Sequence, residues 1–444
     1  MPAPESAATA FRRLVANAQV EGRLPSLSAA VFRGTDLIWA EAVGLADVEA
    51  GREATPDTQY PVASITKTFT AAAIMRLRDE GRLGLDDPLS AHIPEAAHAG
   101  LTLRRMLSHL SGLQREPAGE VWESLAFPTT DELLARLGEA EQVLPPAAAW
   151  HYSNLAYALL GEVVARAAET PYERFVEERF LEPLGLSRTS WSVLEPAARG
   201  YFVEPYADAV KPEPAIEKRG GSAAGALRST TLDLARWGAF LVEPDPELLS
   251  PASAEEMRAV QTMEDAERWT SAYGLGLQLG RRGDRVFAGH TGGFPGFVSM
   301  LVFSPAEKIG VAMLANATKW RRLTDVGLDL VTTALDELAA APEPWRPGDE
   351  TPAEVAGVLG RWWSESSEWI FSYRDGRLEA RAADAFPERG PSVFEPLEPD
   401  LFRTVAGHER GELLRIVRDE SGEPVKLYWA TYPFLRTARP FGPA

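Results

Sequence analysis

A serine and a lysine three places apart, Ser64 and Lys67, stand inside Tyr60-Pro61-Val62-Ala63-Ser64-Ile65-Thr66-Lys67-Thr68-Phe69-Thr70, a run otherwise made of small, apolar and hydroxyl-bearing residues. The continuation Ala71-Ala72-Ala73-Ile74-Met75-Arg76-Leu77 reads as a helix that stops at Gly81. Positions i and i+3 share a helix face, so Lys67 rises one turn beside Ser64 at the helix start. An unpaired lysine among such neighbours is costly. A serine hydroxyl needs a neighbouring base to take its proton, and a lysine with a lowered pKa can be that base or support one. The helix N-terminus also turns free N–H groups toward any anion formed there. The competing reading is a helix cap followed by a surface lysine. The chain has only six lysines, and no other has a serine three places before it.

Two further stretches offer polar groups of the kind such a pair needs. Trp150-His151-Tyr152-Ser153-Asn154 precedes a strongly amphipathic helix, Leu155 to Glu169, with Leu155, Leu159, Val163 and Ala167 on one face. Tyr152 and Asn154 are expected on the loop before it. A tyrosine near a lysine loses its proton more easily than a free one and is then a credible proton shuttle. Asn154 has a donor and an acceptor, suited to an ammonium and a substrate amide. The plainer alternatives are a core aromatic and a helix cap. Later, His290-Thr291-Gly292-Gly293 falls between strands read at 284–289 and 297–316. Glycines there let a ligand backbone approach, and the Gly293 N–H can join that of Ser64 as an oxyanion hole; a hairpin turn is the alternative. His109, in Ser108-His109-Leu110-Ser111-Gly112, reads as bonding local backbone and not as a general base.

A helix over 7–23, strands at Leu27–Arg33 and Leu37–Gly44 joined as a hairpin, helices over 103–107, 130–137, 231–241 and 321–340, and a strand over 272–280 complete the reading. At 444 residues the chain suggests one large domain and one small. A net charge of −19 argues against nucleic acid or an anionic membrane as partner. With no cysteine, disulfides, thiolate metal sites and a cysteine nucleophile are excluded. The six histidines show no ligand spacing, so no metal and no cofactor are expected. No run is long enough to cross a membrane. Met1 to Ser6 lacks a basic region followed by an apolar core, so a cytoplasmic location is expected unless the start has been trimmed.

Taken together and in this order, Ser64-x-x-Lys67, Tyr152-x-Asn154 and His290-Thr291-Gly292 resemble the serine β-lactamase and penicillin-binding-protein superfamily, in its class C β-lactamase, DD-carboxypeptidase and esterase branch. Leu85-Asp86-Asp87-Pro88, Leu107 to Leu113 and Ala224 to Thr230 add to the likeness, which covers roughly residues 7–341. The resemblance implies an α+β fold, an antiparallel sheet flanked by helices plus an all-helical region. It implies a serine hydrolase working through an acyl-enzyme on amide or ester bonds: a peptidase for D-amino-acid-containing peptides, a carboxylesterase, or a β-lactamase. Ser64 is then the nucleophile, Lys67 and Tyr152 move its proton, and Asn154, His290, Thr291 and Gly292 bind substrate. The N–H groups of Ser64 and Gly293 form the oxyanion hole. His290 stands where class C β-lactamases keep a lysine, which shifts the expectation toward peptide or ester cleavage and weakens the hold on a substrate carboxylate. Ala147 and Ala226 replace frequent glycines, so small loop differences are expected. A catalytically silent binding or scaffold protein on the same fold is the rival reading. A small-molecule, peptide or ester substrate is the expected partner, with a homo-oligomer possible.

After Ala341, Pro342 to Gly348 reads as a linker, and the texture changes. Short alternating segments at 360–363, 368–374, 377–381, 392–397, 401–406, 413–418 and 425–431 are punctuated by Gly and Pro. They predict a small antiparallel β-barrel or half-barrel, similar to the lipocalin-like C-terminal domains of this branch. The division expected is 1–345 for the hydrolase domain and 350–444 for the barrel. The barrel holds none of the three motifs, so it is expected to shape access and not to supply chemistry. Its tryptophans are read as core in preference to a ligand lining.

Overall fold

The structure, a computed structural model, describes residues 2–318, 320–338, 351–386 and 389–441. It divides into two compact units, Met1–Ala340 and Ala341–Ala444. The linker read at 342–348 lies outside the described residues.

The first unit is built on nine strands: β1 (Ser26–Arg33), β2 (Asp36–Asp47), β3 (Arg52–Glu53), β4 (Thr262–Met263), β5 (Ser271–Tyr273), β6 (Gln278–Arg282), β7 (Arg285–Phe294), β8 (Phe297–Ser304) and β9 (Ile309–Ala315). Their order in the sheet is β3-β2-β1-β9-β8-β7-β6-β5-β4. The two ends of the unit meet at its centre, where β1 pairs antiparallel with β9, Leu27 opposite Ala315 and Arg33 opposite Ile309. Helices cover both faces. Leu27, Ala29 and Val31 pack in one core with Phe11 and Val15 of α1 (Glu5–Gly22) and with Leu330 and Val331. Ala30, Phe32, Leu301 and Phe303 face the other core, shared with the helix Thr231–Val242. Because both faces are buried, these strands read as unbroken apolar runs and not as polar–apolar alternation.

Several sequence-based boundaries change. The strand read over 272–280 splits at Gly274–Leu277, where Gly276 takes a φ of 74°. The stretch 297–316 is two strands joined by a turn at Pro305–Lys308. His290 to Gly293 belong to β7 and not to a turn between strands. The helix over 321–340 is observed as Trp320–Glu337.

On the second core's side lies the helical region. Its central helix, α2 (Thr66–Asp79), is buried on every side from Thr66 to Met75. Phe69 stacks on Trp237 with ring centroids 3.7 Å apart, and the Trp237 indole N–H donates to Thr68 Oγ1 at 2.8 Å. The hydroxyls of Thr66, Thr68 and Thr70 donate to the carbonyls of Ala63, Ile65 and Ala223. Each buried polar group of this helix thus has a partner, which is what allows so polar a helix to sit inside. The next long helix, α3 (Asn154–Ala168), buries Leu155, Leu159 and Val163 as its sequence pattern requires.

The second unit is a meander of eight antiparallel strands, β10 (Gly360–Ser364), β11 (Ser367–Arg374), β12 (Arg377–Ala382), β13 (Ser392–Glu398), β14 (Leu401–Ala406), β15 (Leu413–Arg418), β16 (Pro424–Trp429) and β17 (Tyr432–Phe434). Its ends nearly close: Trp363 N–H donates to the Leu435 carbonyl at 2.8 Å and Leu435 N–H to the Trp363 carbonyl at 2.9 Å. The closing strand was not anticipated from sequence, because Pro433 argues against a strand there. Trp362 and Trp429 fill the barrel with Phe371, Phe394 and Leu427, and their indole N–H groups reach Val358 O and Thr404 Oγ1. They are core residues with satisfied polar ends.

Candidate active site

The turn Ala63–Ile65, one round of 3₁₀-helix, delivers Ser64 to the N-terminus of α2. Ala63 takes a φ of 47°, a left-handed conformation that costs a residue with a Cβ about 1–3 kcal/mol and persists only where its surroundings enforce it. Here they do. Val62 N–H donates to Leu227 O at 2.9 Å, Thr66 Oγ1 donates to Ala63 O at 2.7 Å, and Ser299 Oγ donates to Val62 O at 2.7 Å.

Lys67 is fully buried. Its Nζ meets three acceptors: Ser64 Oγ at 3.2 Å, Asn154 Oδ1 at 2.8 Å and the Ala224 carbonyl at 2.5 Å. Burial lowers its pKa well below the ordinary lysine value, and the nearby charge of Lys218 lowers it further against the opposing carboxylate of Glu116. A neutral amine has two donors and a lone pair. Asn154 and Ala224 take the two donors, which leaves the lone pair for the Ser64 hydroxyl.

Ser153, not Asn154, caps α3, its hydroxyl accepting from Ala156 N–H at 3.0 Å. Asn154 is the first residue of the helix, and its side chain is free to bridge Lys67 and Glu116, whose Oε1 accepts from Asn154 Nδ2 at 2.7 Å. That bond fixes which way the amide faces. Tyr152 is hydrogen-bonded to Ser64, and Lys67 Nζ lies 4.9 Å from its ring centroid. The expected ease of losing the phenol proton is overturned. Burial drives the Tyr152 pKa far up, more than the Ser64 hydrogen bond and the Arg115 charge bring it down. Burial prevails, so Tyr152 stands as an O–H group.

His109 is buried at a φ of 58°, its Nδ1 accepting from Ser153 N–H at 3.1 Å and its carbonyl from His151 N–H at 2.8 Å. Its ring lies 4.2 Å from that of Tyr152. It holds the Tyr152 loop through backbone 44 residues away, where the sequence suggested a bond to the local backbone of its own turn.

The third stretch is the end of β7. Gly292 admits no side chain, since a Cβ there would lie 2.1 Å from Ser299 Oγ and 2.2 Å from Val62 O. That close approach sets β7 against the Ser64 turn. Thr291 N–H turns away from β8 and donates to Gln278 Oε1 at 3.0 Å. N–H groups alternate sides along an antiparallel strand, so the Gly293 N–H emerges on the same edge two residues on, past the end of β6. Gly293 and Ser64 line one cleft of about 350 Å³ with Tyr152, Asn154, His290 and Thr291. His290 is 2 % exposed, and both its ring nitrogens are occupied. Nε2 bonds the Tyr273 hydroxyl at 2.9 Å and Nδ1 the Thr291 carbonyl at 2.6 Å. A carbonyl only accepts, so Nδ1 carries the proton and Nε2 accepts from Tyr273. Burial lowers its pKa to about 3, so the ring is neutral. The cleft also contains Arg115, Lys218 and Gln278. These and Glu116 were missed in the sequence, where isolated polar residues in irregular segments leave no periodic signal.

The β-lactamase family model matches residues 11–334, and a model for a domain of unknown function (DUF7586) matches residues 351–436. The human "Putative beta-lactamase-like 1" is 28% identical over 415 residues, 88% of this chain and 80% of that protein. The "Beta-lactamase-like protein 2" of Dictyostelium discoideum is 30% identical over 274 residues, 58% of this chain, and the matched part spans about half (49%) of that protein. Among solved structures, the octameric penicillin-binding protein homologue from Pyrococcus abyssi superposes with a TM-score of 0.66 at 24% identity, covering 96% of this chain and 99% of that one. A D-stereospecific amidohydrolase from Streptomyces sp. gives a TM-score of 0.63 at 26% identity, covering 73% and 98%.

Proposed function

This chain belongs to the β-lactamase family, and from that premise we propose that it is a serine hydrolase that cleaves amide or ester bonds through an acyl-enzyme on Ser64. One observation carries the reading: the Lys67 amine, buried and held toward neutrality, is hydrogen-bonded to Ser64 Oγ at 3.2 Å. Ser64 Oγ attacks the substrate carbonyl carbon as its proton passes to the Lys67 lone pair. The oxyanion is received by the N–H groups of Ser64 and Gly293, in the manner that makes such sites worth several kcal/mol. The Tyr152 hydroxyl passes a proton to the leaving group and is replenished from the Lys67 ammonium. Water then enters, gives up its proton by the same path, and releases the acyl group with Ser64 restored.

Peptide or ester cleavage is favoured over antibiotic hydrolysis, because the third motif offers His290, neutral and with both nitrogens engaged, in place of a lysine. The Streptomyces relative's description as a D-stereospecific amidohydrolase supports D-amino-acid-containing substrates. The octameric Pyrococcus homologue supports a homo-oligomer. For the barrel, the eight-stranded meander supports the lipocalin-like reading.

A substrate panel tests the proposal: short-chain p-nitrophenyl esters, D-amino-acid amides, D-Ala-D-Ala peptides and a chromogenic cephalosporin. Turnover of an ester or D-peptide is expected to exceed that of the cephalosporin, and to be lost in Ser64→Ala. A cephalosporin turned over faster than every ester and peptide would make the protein a β-lactamase. No turnover of anything, with no adduct on Ser64, would leave a binding protein.

A further inference from the structure

The walls of the Ser64 cleft carry two cationic side chains, Arg115 and Lys218, and no carboxylate. In a chain of net charge −19 that is an uncommon balance. Arg115 is partly spoken for. It lies over the Tyr152 ring at 4.8 Å and within 3.8 Å of Glu116. Lys218 is different. Among the described residues it forms no ion pair and no hydrogen bond through its ammonium, whereas Lys211 pairs with Glu204 and Lys308 with Glu243. Its Nζ instead sits between two aromatic faces, 4.3 Å from the Phe294 ring centroid and 4.9 Å from that of Phe127.

This lysine is placed by backbone and not left to wander. Phe127 N–H donates to Glu217 O at 2.8 Å, and Glu217 N–H to Leu125 O at 3.0 Å. Two and three residues past Lys218, only glycine fits without rearrangement: a Cβ on Gly220 would lie 2.7 Å from Thr130 N, and one on Gly221 2.5 Å from the Phe127 ring. A few residues on, the same segment supplies the Ala224 carbonyl that binds Lys67. Aromatic faces steer an ammonium but return only part of what its burial costs. Burial lowers the Lys218 pKa to about 8, with the Glu116 charge opposing, which still leaves the group mostly charged at neutral pH. A cation held in a reaction cleft with no direct ion-pair or hydrogen-bond partner is complementary to a substrate that brings one.

We propose that the substrate carries a carboxylate, and that Lys218, assisted by Arg115, is the group that receives it. This rests on the hydrolase reading of the same cleft. It moves acid recognition away from His290, whose ring nitrogens are both engaged, to the segment before Ala224. Lys218 is thereby a specificity residue and not a catalytic one.

The test compares esters that differ in one carboxylate. Mono-4-nitrophenyl glutarate against 4-nitrophenyl butyrate places the charge in the acyl part; 3-carboxyphenyl butyrate against phenyl butyrate places it in the leaving group. For wild type, Lys218→Met and Lys218→Arg, the readout is the ratio of kcat/KM, charged over neutral. In at least one pair the ratio is expected to fall about tenfold or more in Lys218→Met, the scale of a hydrogen bond between charged groups, and to survive within about threefold in Lys218→Arg, which keeps the charge. Unchanged ratios in both pairs would overturn the proposal. If wild type hydrolyses none of the four, simple esters are not its substrates, the hydrolase reading is judged by the wider panel, and the anion site is read without turnover. Acetylation of Lys218 by an amine-reactive ester, followed by peptide mass spectrometry, is expected to slow severalfold in glutarate relative to sodium chloride of equal ionic strength. Equal rates would remove the anion site as well.

Discussion

Lys67→Arg is expected to lower kcat/KM for every accepted substrate by about 10²-fold or more, the usual scale for a positioned acid–base group. An arginine puts a permanent cation beside Ser64, since it is never deprotonated in a protein, so the substitution removes the base while still filling the site with a basic side chain. Lys67→Ala is expected to lose at least as much. It also leaves Asn154 Oδ1 and the Ala224 carbonyl without their donor, a penalty of about 1–3 kcal/mol for each group that stays buried and unpaired. Thermal unfolding of both variants separates that loss of stability from the loss of rate. The pH dependence follows from the same amine. Only its neutral form accepts the Ser64 proton, and burial lowers its pKa. Wild-type kcat/KM should therefore be full above that lowered pKa and fall as the pH drops through it. A Lys67→Arg enzyme within tenfold of wild type would show that the lysine acts by charge alone.

Tyr152→Phe is expected to cost a comparable factor, because the phenol beside Ser64 is the group proposed to protonate the leaving group. The informative quantity is the double variant with Lys67→Ala. Two groups on one proton path are grossly non-additive, so the pair should lose little more than the worse of the two. The ring contacts of Tyr152 with His109 and Lys67 survive in phenylalanine, which keeps the loop in place. A double variant slowed by the full product of the single effects would mean that the residues act in separate steps.

Much of the site was legible because its central spacing is local. Ser64 and Lys67 are one helical turn apart, and a lysine inside an apolar helix announces that partners exist. What those partners are is set by long-range contacts. Glu116 meets Asn154 from 38 residues away, and Ala224 meets Lys67 from 157. Nothing in the loop sequences around Glu116 or Lys218 distinguishes them from solvated charges. The ionisation of Tyr152 was misread for a related reason: proximity to a lysine was visible, but the burial that raises its pKa was not. In the fold, only Thr291 of His290 to Gly293 favours a strand and the two glycines disfavour one, and pairing with β8 together with close packing on Val62 overrides that. The break at Gly274–Leu277 was hidden because Leu275 and Leu277 are buried although they stand in a turn. The barrel was legible strand by strand, save for the short closing strand with its proline.

The central claim is that Ser64 is a nucleophile activated within this constellation, and intact-protein mass spectrometry after treatment with a fluorophosphonate tests it most directly. A single adduct, mapped to Ser64, is predicted for the full-length wild-type protein and none for Ser64→Ala, with labelling of Lys67→Arg slowed in proportion to its loss of kcat/KM. A folded wild-type protein that takes up no adduct, or takes it up equally in Ser64→Ala, would contradict the account.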